Sequence, residues 1–450
     1  MPNPPRQKVG LTGAAAREHA RILAAYGGAY ENPKLQAMLD SMVDKLVAAS
    51  ERPDLHYDTT ILNSPAVNAF ALPSGQLYVT RGLIALANDN AEIASVLSHE
   101  MAHVIASHAA IRENQMRQAA IVNRVHSDVL TDPQMGALAL AKSKIALASF
   151  SRAQEFEADG IGVGISSRAG YDPYGATRFL TSMGRNAELK AASTKIDPRS
   201  LDFLSSHPAT PERVQNAKLN ARQFTAPGPG EREKDMYLSA VDGLVYGEDP
   251  SEGFVRGRRF LHPKLGFTFQ APVGYSLDNT AQAVFGVTES GEQALRLDVV
   301  RVPADQKLTE YLTSGWIENI DPDSIDELTL NGLSAATATA RGDQWSFRLY
   351  AVRFGTDVYR FIFAAKSLTP ELDLAFRHAV GTFRRMTRAE IAQARPFRIK
   401  VVTVGPQDTV ERLASRMAMS DRAVERFRVL NGLDPSDRLK PGDKVKIVVE

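Results

Sequence analysis

The chain has 450 residues, 44% hydrophobic and 23% charged, with no cysteine and a formal net charge of +1. That length exceeds one hydrophobic core and implies several domains. The charge balance gives no electrostatic case for nucleic acid, and the lack of cysteine excludes disulfides and thiolate-bound metal. No apolar run reaches the length of a membrane span; the stretch Met135–Ala141 is short and is followed by Lys142 and Lys144.

In chain order, residues 14–50 read as helices. Leu35, Leu39, Met42, Val43 and Leu46 recur at helical spacing, with Lys34, Asp40, Asp44 and Lys45 off the stripe, as in a core-packing helix pair. Val67–Leu72 and Gln76–Thr80 read as a β-hairpin turning at Pro73-Ser74-Gly75. Ala91–Ala106 has no Gly or Pro and reads as a helix, with Asn88 or Asn90 as cap and Glu92 in its first turn.

That helix contains His99-Glu100-Met101-Ala102-His103. At about 100° per residue both histidines project from one face, one turn apart, so their imidazoles can hold one Zn²⁺. Glu100 lies between them in angle and can take a proton from a metal-bound water, the H-E-x-x-H arrangement. His108 falls nine residues after His99, half a turn out of phase, and reads as a non-ligand. Residues 111–150 read as irregular helix broken at Thr131-Asp132-Pro133, either a mobile cover over a cleft or packed helices.

A catalytic zinc site needs three protein ligands, and Ser151–Gly160 offers the third. Glu155 and Asp159 are four apart on one helix face, so Glu155 can ligate while Asp159 accepts a hydrogen bond from a ligand imidazole. Glu157 points half a turn away, toward solvent. Leu204–Arg213 is a turn entering a helix with Thr210 as cap and Pro211 at its first position. A histidine in that turn, His207, can donate to an oxyanion or bind zinc in place of water.

Ala226-Pro227-Gly228-Pro229-Gly230 opens a linker. Beyond it, Leu265/Phe267/Phe269, Leu295/Leu297/Val299, Trp345/Phe347/Leu349 and Tyr359/Phe361/Phe363 alternate as half-buried strands do, with a turn at Gly355-Thr356-Asp357. A helix near Glu371–Val380 is expected to pack Leu374 and Phe376 on the sheet. The divisions expected are a peptidase domain over 1–225, a linker over 226–240, an α+β domain over 241–392 and a small C-terminal domain over 398–450.

His99-Glu100-x-x-His103 followed by Glu155-Phe156-Glu157-Ala158-Asp159 resembles the gluzincin family of zinc peptidases that includes HtpX and the CAAX prenyl protease. Asn68–Gly75, Val79–Leu83, Ser206-His207-Pro208 and Arg213 extend the resemblance over most of 20–220, closest to its soluble, periplasmic BepA-like branch. Ser74 stands where that family usually has a second Gly. The resemblance implies a mainly helical zincin fold with a small sheet, one Zn²⁺ on His99, His103 and Glu155, Glu100 and His207 as catalytic groups, and Asp159 and Arg213 supporting the ligands. It also implies a cleft-bordering strand that pairs with extended polypeptide, for which Asn68, Ala69 and Phe70 are the candidates.

Residues 398–450 resemble a LysM module, on Val404–Val410, Asn431-Gly432-Leu433 and Leu439–Val445. This implies a β-α-α-β fold and binding to N-acetylglucosamine-containing glycan, hence peptidoglycan. Gln407 replaces a usual Gly and Glu411 a common aromatic. The middle segment is similar to PsbP-like domains. The whole is therefore expected to be an α+β multidomain zinc endopeptidase of unfolded or misassembled cell-envelope proteins, with zinc-bound water activated by Glu100. The alternative is an envelope chaperone or docking factor with a plugged zinc site, tethered to peptidoglycan. Met1–Arg6 lacks the apolar core of a signal peptide; with a periplasmic location expected, the export signal is expected to lie outside this sequence.

Overall fold

The structure, a computed structural model, describes residues 12–112, 114, 150–193, 207, 210–224, 230, 232–280, 283–315, 317–419 and 421–450. The expected cleft cover over 111–150, apart from its ends, lies outside the described residues, as do Ser206, Pro208 and Ala226–Pro229. Among the described residues no helix is long and apolar enough to cross a membrane.

After α1 (Gly13–Ala25), Asn32 starts α2 (Pro33–Ala48): its Oδ1 accepts from the Leu35 N–H at 3.1 Å, and Pro33 occupies the first turn. The stripe Leu35, Leu39, Met42, Val43 and Leu46 is buried. Strands β1 (Asp58–Leu62), β2 (Ala69–Ala71) and β3 (Gln76–Thr80) form a sheet in the order β1-β3-β2. β3 runs parallel to β1 and antiparallel to β2 through the expected hairpin, which leaves β2 at the edge.

α3 (Arg81–Leu86) leads to α4 (Asn90–Ile105), the central helix, buried from Asn90 to His103. Its cap is Asp89, whose Oδ1 accepts from the Glu92 N–H at 3.0 Å; Asn88 and Asn90, expected in that role, flank it. A carboxylate there also meets the positive end of the helix dipole. α5 (Arg152–Arg168) starts from a capping box made by Ser151 and Gln154. It lies close against α4, because a Cβ on Gly162 would stand 2.9 Å from the His99 nitrogen. α6 (Gly175–Ser193) approaches the same helix at Gly175, where a Cβ would meet the Ala91 carbonyl oxygen. α7 (Pro211–Phe224) is capped by Thr210, whose hydroxyl accepts from the Arg213 N–H at 3.3 Å. Across the end of the stretch read as linker, Lys234–Val241 forms α8, followed by β4 (Val245–Tyr246).

The next elements belong to a separate compact unit, Glu248–Pro396. Strands β5 (Phe254–Arg256), β6 (Arg259–His262) and β7 (Phe267–Gln270) precede β8 (Tyr275–Asn279), β9 (Val284–Thr288) and β10 (Gln293–Arg301). After α9 (Leu308–Leu312) come β11 (Asp326–Leu330), β12 (Leu333–Arg341), β13 (Ser346–Phe354) and β14 (Asp357–Ala365). The unit ends with α10 (Pro370–Gly381), β15 (Arg384–Arg385) and α11 (Arg388–Gln393). A seven-stranded antiparallel sheet runs β11-β12-β13-β14-β10-β9-β8, and a four-stranded one β15-β7-β6-β5. Both faces of the larger sheet are covered: Tyr350, Phe361 and Phe363 enter one core, and Ala336, Ala338, Leu349 and Val358 another. In α10 Phe376 stacks on Phe363 at 4.4 Å, but Leu374 is 66% exposed. Two residues apart on a helix point about 200° apart, so only one of them can face the sheet.

The C-terminal stretch has β16 (Phe397–Thr403), α12 (Val410–Ala414), α13 (Ala423–Leu430) and β17 (Lys444–Val449), a β-α-α-β order. By contacts, Phe397–Glu450 belongs to the same unit as α1 to β4. β16 pairs with β17 and also with β4, and Ile399, Phe427, Val445 and Ile447 share one core with Leu39, Leu86 and Leu97. Lys446 is fully buried; its ammonium donates to the carbonyls of Ala85 at 2.7 Å, Leu86 at 3.4 Å and Ala87 at 2.6 Å. These are carbonyls that the end of a short helix leaves without a helical partner.

Candidate metal centre

Two helices and one loop bring the candidate residues together. α4 presents His99, Glu100 and His103, α5 presents Glu155 and Asp159, and His207 arrives from the turn before α7, which carries Arg213. All of them are buried.

His99 Nε2 and His103 Nε2 stand 3.1 Å apart. Glu155 Oε2 is 3.6 Å from the first, and Glu155 Oε1 is 3.6 Å from the second. His207 Nδ1 lies 3.4 Å from His99 Nε2 and 2.9 Å from Glu155 Oε1. One donor atom from each of these four residues fits within 4.8 Å of all the others. Bonds of about 2.0–2.1 Å to a tetrahedral Zn²⁺ require ligand atoms about 3.3 Å apart. The residues therefore fit one zinc ion, and the nitrogen and oxygen donor set is one zinc accepts.

The surroundings keep these donors in a ligating form. His99 Nδ1 faces Asp159 Oδ1 at 3.0 Å, so its proton sits on Nδ1 and its Nε2 lone pair points to the centre. Burial lowers the proton affinity of His99 and His103, and brings His207 down to about 3, with Arg213 adding to the effect. All three imidazoles are thus neutral at neutral pH. Burial alone would raise Asp159, but hydrogen bonds from Arg213 and His99 outweigh it and hold the carboxyl at about 2. Arg213 grips Asp159 through Nε at 2.9 Å and Nη2 at 2.7 Å, and reaches Glu155 Oε2 with Nη1 at 2.6 Å. One buried guanidinium so balances two carboxylates.

Glu100 lies beside the donors, with Oε1 3.8 Å from His207 Nε2. Burial, reinforced by the negative charge of Glu155, pushes its carboxyl well above the usual range, against the pull of Arg213 and a hydrogen bond from the Ala71 backbone N–H. That last contact places the edge strand next to the candidate base. Of the three candidate substrate residues, Ala69 is buried and Asn68 donates to the Tyr26 hydroxyl at 2.9 Å. Phe70 stacks on Tyr78 at 4.9 Å. Because the Asn68 carbonyl and the Leu72 N–H pair with β3, the alternate backbone groups of Ala69 and Ala71 face away from β3, where the Ala71 N–H meets Glu100.

Three neighbours escape a reading by helix phase. Phe150 stacks on the His103 ring at 4.0 Å, and the Arg112 guanidinium lies over the Phe150 ring at 4.6 Å from its centroid. His108 Nδ1 comes within 2.9 Å of His103 Nδ1, and Glu157 reaches His108 Nε2 at 3.3 Å. The signal for His108 was its closeness to the motif; the straight-helix assumption hid it.

An H-E-x-x-H helix joined by a glutamate from a second helix defines the class, a metallopeptidase domain. Residues 33–221 match the model of Peptidase family M48 and residues 402–448 that of the LysM domain, so the chain carries an M48 peptidase domain and a LysM domain. Among curated relatives, the beta-barrel assembly-enhancing protease of Yersinia pestis is 28% identical over 241 residues, 51% of this chain and 48% of that one. The mitochondrial metalloendopeptidase OMA1 of Arabidopsis thaliana is 33% identical over 172 residues, 37% of this chain and 32% of that one. The chain thus spans about half, or less, of the length of these relatives. A solved structure of cyanobacterial PsbP from Synechocystis is 13% identical, covering 31% of this chain and 98% of that one with a TM-score of 0.23. At that score it assigns no fold to the middle unit.

Proposed function

We propose that this chain is a zinc-dependent endopeptidase acting on unfolded or misassembled cell-envelope proteins, with Glu100 as general base. One observation carries the reading: the buried donor atoms of His99, His103 and Glu155 converge on one point with Glu100 beside them. Zinc, when bound, supplies Lewis acidity and a water of lowered pKa. The chain's own residues do the rest. Asp159 orients His99, and Arg213 holds Asp159 and Glu155 in place. Glu100, with its raised proton affinity, accepts the proton of the attacking water and returns it to the leaving nitrogen. The outer edge of β2 takes a substrate in extended form through its backbone, which selects for unfolded chain. The relatives' names, an assembly-enhancing protease and a metalloendopeptidase, support the activity. The LysM domain supports contact with peptidoglycan and a periplasmic location.

The test compares wild type with Glu100→Gln for zinc content and hydrolysis of casein. About one zinc per chain in both, with hydrolysis falling by at least about 10²-fold in the variant, is expected. A wild-type chain that takes up no zinc overturns the reading.

A second reading has its own observation. His207 Nδ1, 2.9 Å from Glu155 and 3.4 Å from His99, takes the fourth corner, where an open catalytic site keeps water. In that reading the resting centre is plugged, and the chain works as a chaperone or docking factor, or as a peptidase held off. His207→Ala then raises casein hydrolysis above wild type. A fall instead assigns His207 to stabilising the oxyanion.

A further inference from the structure

The turn that ends α4 gives His103 a partner that a continuous helix would have carried away. Ser107 adopts φ +56°, in the left-handed region, which costs an L-residue other than glycine about 1–2 kcal/mol. Its N–H still bonds the Val104 carbonyl at 3.0 Å, and its own carbonyl receives the Ile111 N–H at 3.1 Å, so a new helical turn starts there on a changed axis. His108 is thereby folded back onto the end of α4, 1% exposed, its ring 5.0 Å from that of His103 and nearly perpendicular to it.

We propose that His108 and Glu157 are positioning residues that hold His103 in the tautomer able to bind metal. The inference rests on the zinc reading of the centre and concerns which ring nitrogen of His103 carries a proton. His103 turns Nε2 toward the other donors, so ligation needs its lone pair there and its proton on Nδ1. His108 Nδ1, 2.9 Å away, must then accept, which puts the proton of His108 on Nε2. That nitrogen faces the Glu157 carboxylate at 3.3 Å, which can only accept while ionised. Every hydrogen bond in the chain from His103 through His108 to Glu157 runs one way.

The reverse arrangement is the competitor. Without metal, His103 could carry its proton on Nε2 and give it to His99 Nε2 at 3.1 Å. His108 would then have to donate from Nδ1 and present a lone pair to Glu157, lone pair against carboxylate. Glu157 disfavours this state, and so selects the metal-ready one. The two ligand histidines are therefore oriented by different means: His99 by a buried carboxylate locked by Arg213, and His103 by a second ring backed by a carboxylate whose side chain is 59% exposed.

The experiment measures the zinc dissociation constant of the full chain by competition with a chromophoric chelator, alongside the melting temperature of each metal-free protein. Wild type comes first: no zinc binding there overturns the metal reading itself. Given binding, His108→Phe keeps the ring but removes the acceptor and is expected to weaken zinc about 10–100-fold. His108→Asn restores an acceptor at the Nδ1 position and should recover part of that loss. Glu157→Gln should weaken zinc less than tenfold with an unchanged metal-free melting temperature. His108→Phe within twofold of wild type, or Asn no better than Phe, overturns the proposal. If neither His108 variant folds, ¹⁵N NMR of the imidazoles in the zinc-loaded wild type decides. His108 protonated on Nε2 is expected, and His108 protonated on Nδ1 overturns the proposal.

Discussion

Two segments follow the M48 domain in the chain, and they are built in on different terms. The middle unit, Glu248–Pro396, closes cores of its own on both faces of its larger sheet. The LysM segment, Phe397–Glu450, has no separate core: Ile399, Val410, Leu413, Phe427 and Ile447 belong to the cluster that contains Leu39, Leu86 and Leu97 of the peptidase. β16 adds to β4, α13 packs on α6, and Arg185 of α6 donates to the Leu433 carbonyl at 3.2 Å. The residue that marks the difference is Lys446. A lysine is rarely taken fully out of water, and here its three donors serve the carbonyls at the corner between α3 and α4. Order along the chain is thus a poor guide to which core a segment completes.

The largest expected effect breaks this arrangement outright. Stopping the chain after Pro396 strips the shared core of every side chain that the C-terminal segment contributes to it, among them Ile399, Leu413, Phe427 and Ile447. Exposing even five such side chains costs roughly 1.5–3 kcal/mol each, as much as the whole stability of about 5–15 kcal/mol of a typical domain. The truncated chain should lose the cooperative thermal transition of the peptidase unit and its zinc, while the middle unit still melts. Lys446→Met is the graded version. It keeps the apolar stem but leaves the Ala85 and Ala87 carbonyls without their donor, and should lower stability by about 1–3 kcal/mol, read as a drop in denaturation midpoint. A LysM segment that is merely tethered would leave both measurements at the wild-type value.

The contrast between what spacing tells and what packing decides runs through the site as well. Four-residue spacing places His99 with His103 and Glu155 with Asp159 on common faces, because a helix repeats every 3.6 residues whatever surrounds it. The structure then brings these four side chains to one point. His207 comes from a distant turn and Arg213 from the helix after it, which only the resemblance to a known family could link to them. His108 and Lys446 were out of reach for a physical reason. The phase of His108 is reset by one left-handed residue, Ser107, and an isolated serine gives no sign of that. Lys446, between Val445 and Ile447, follows an alternation that reads as a solvent-facing position, yet tertiary packing supplies it with acceptors. In the middle unit the strand alternation is plain, but which face of α10 meets the sheet, Phe376 rather than Leu374, follows from the neighbouring Phe363.

A smaller effect separates the two units by pH. Glu248 opens the middle unit; its carboxylate accepts from the Val255 N–H at 2.8 Å and lies 3.3 Å from Arg256. Burial outweighs both and pushes the carboxyl from 4.5 up to about 7. Between those values the folded state holds a proton that the unfolded state releases. The contribution of Glu248 to the stability of the middle unit therefore falls as pH rises from about 4.5 to 7 and levels off above, with a slope of at most about 1.4 kcal/mol per pH unit. His262 of the same unit, lowered by burial to about 4, contributes in the opposite direction between about 4 and 6.5. The difference in stability between wild type and Glu248→Gln should carry the Glu248 slope in the melting transition of the middle unit, with His262 common to both, and leave the transition of the peptidase unit unchanged. A difference that is flat with pH assigns the slope to another group.

The smallest expected effect is the sharpest test of the comparison. The middle unit departs after Gly247 and the chain returns at Phe397, and these ends flank paired strands: Tyr246 stands opposite Phe397, and Val245 opposite Arg398. Antiparallel partners lie about 4.5–5.5 Å apart at their Cα atoms, a gap that a turn of two to five residues spans. In topology the middle unit is an insertion at the tip of a hairpin, the position where insertions are best tolerated. Replacing 248–396 by a short glycine-containing turn should therefore keep zinc binding and casein hydrolysis, and change the stability of the peptidase unit by no more than about 0.5 kcal/mol. If the shortened chain loses its zinc, the middle unit contributes to the centre. If it binds zinc normally but no longer cleaves casein, the middle unit acts on the substrate. Either result would remove the asymmetry between a LysM segment inside the peptidase core and a middle unit independent of it.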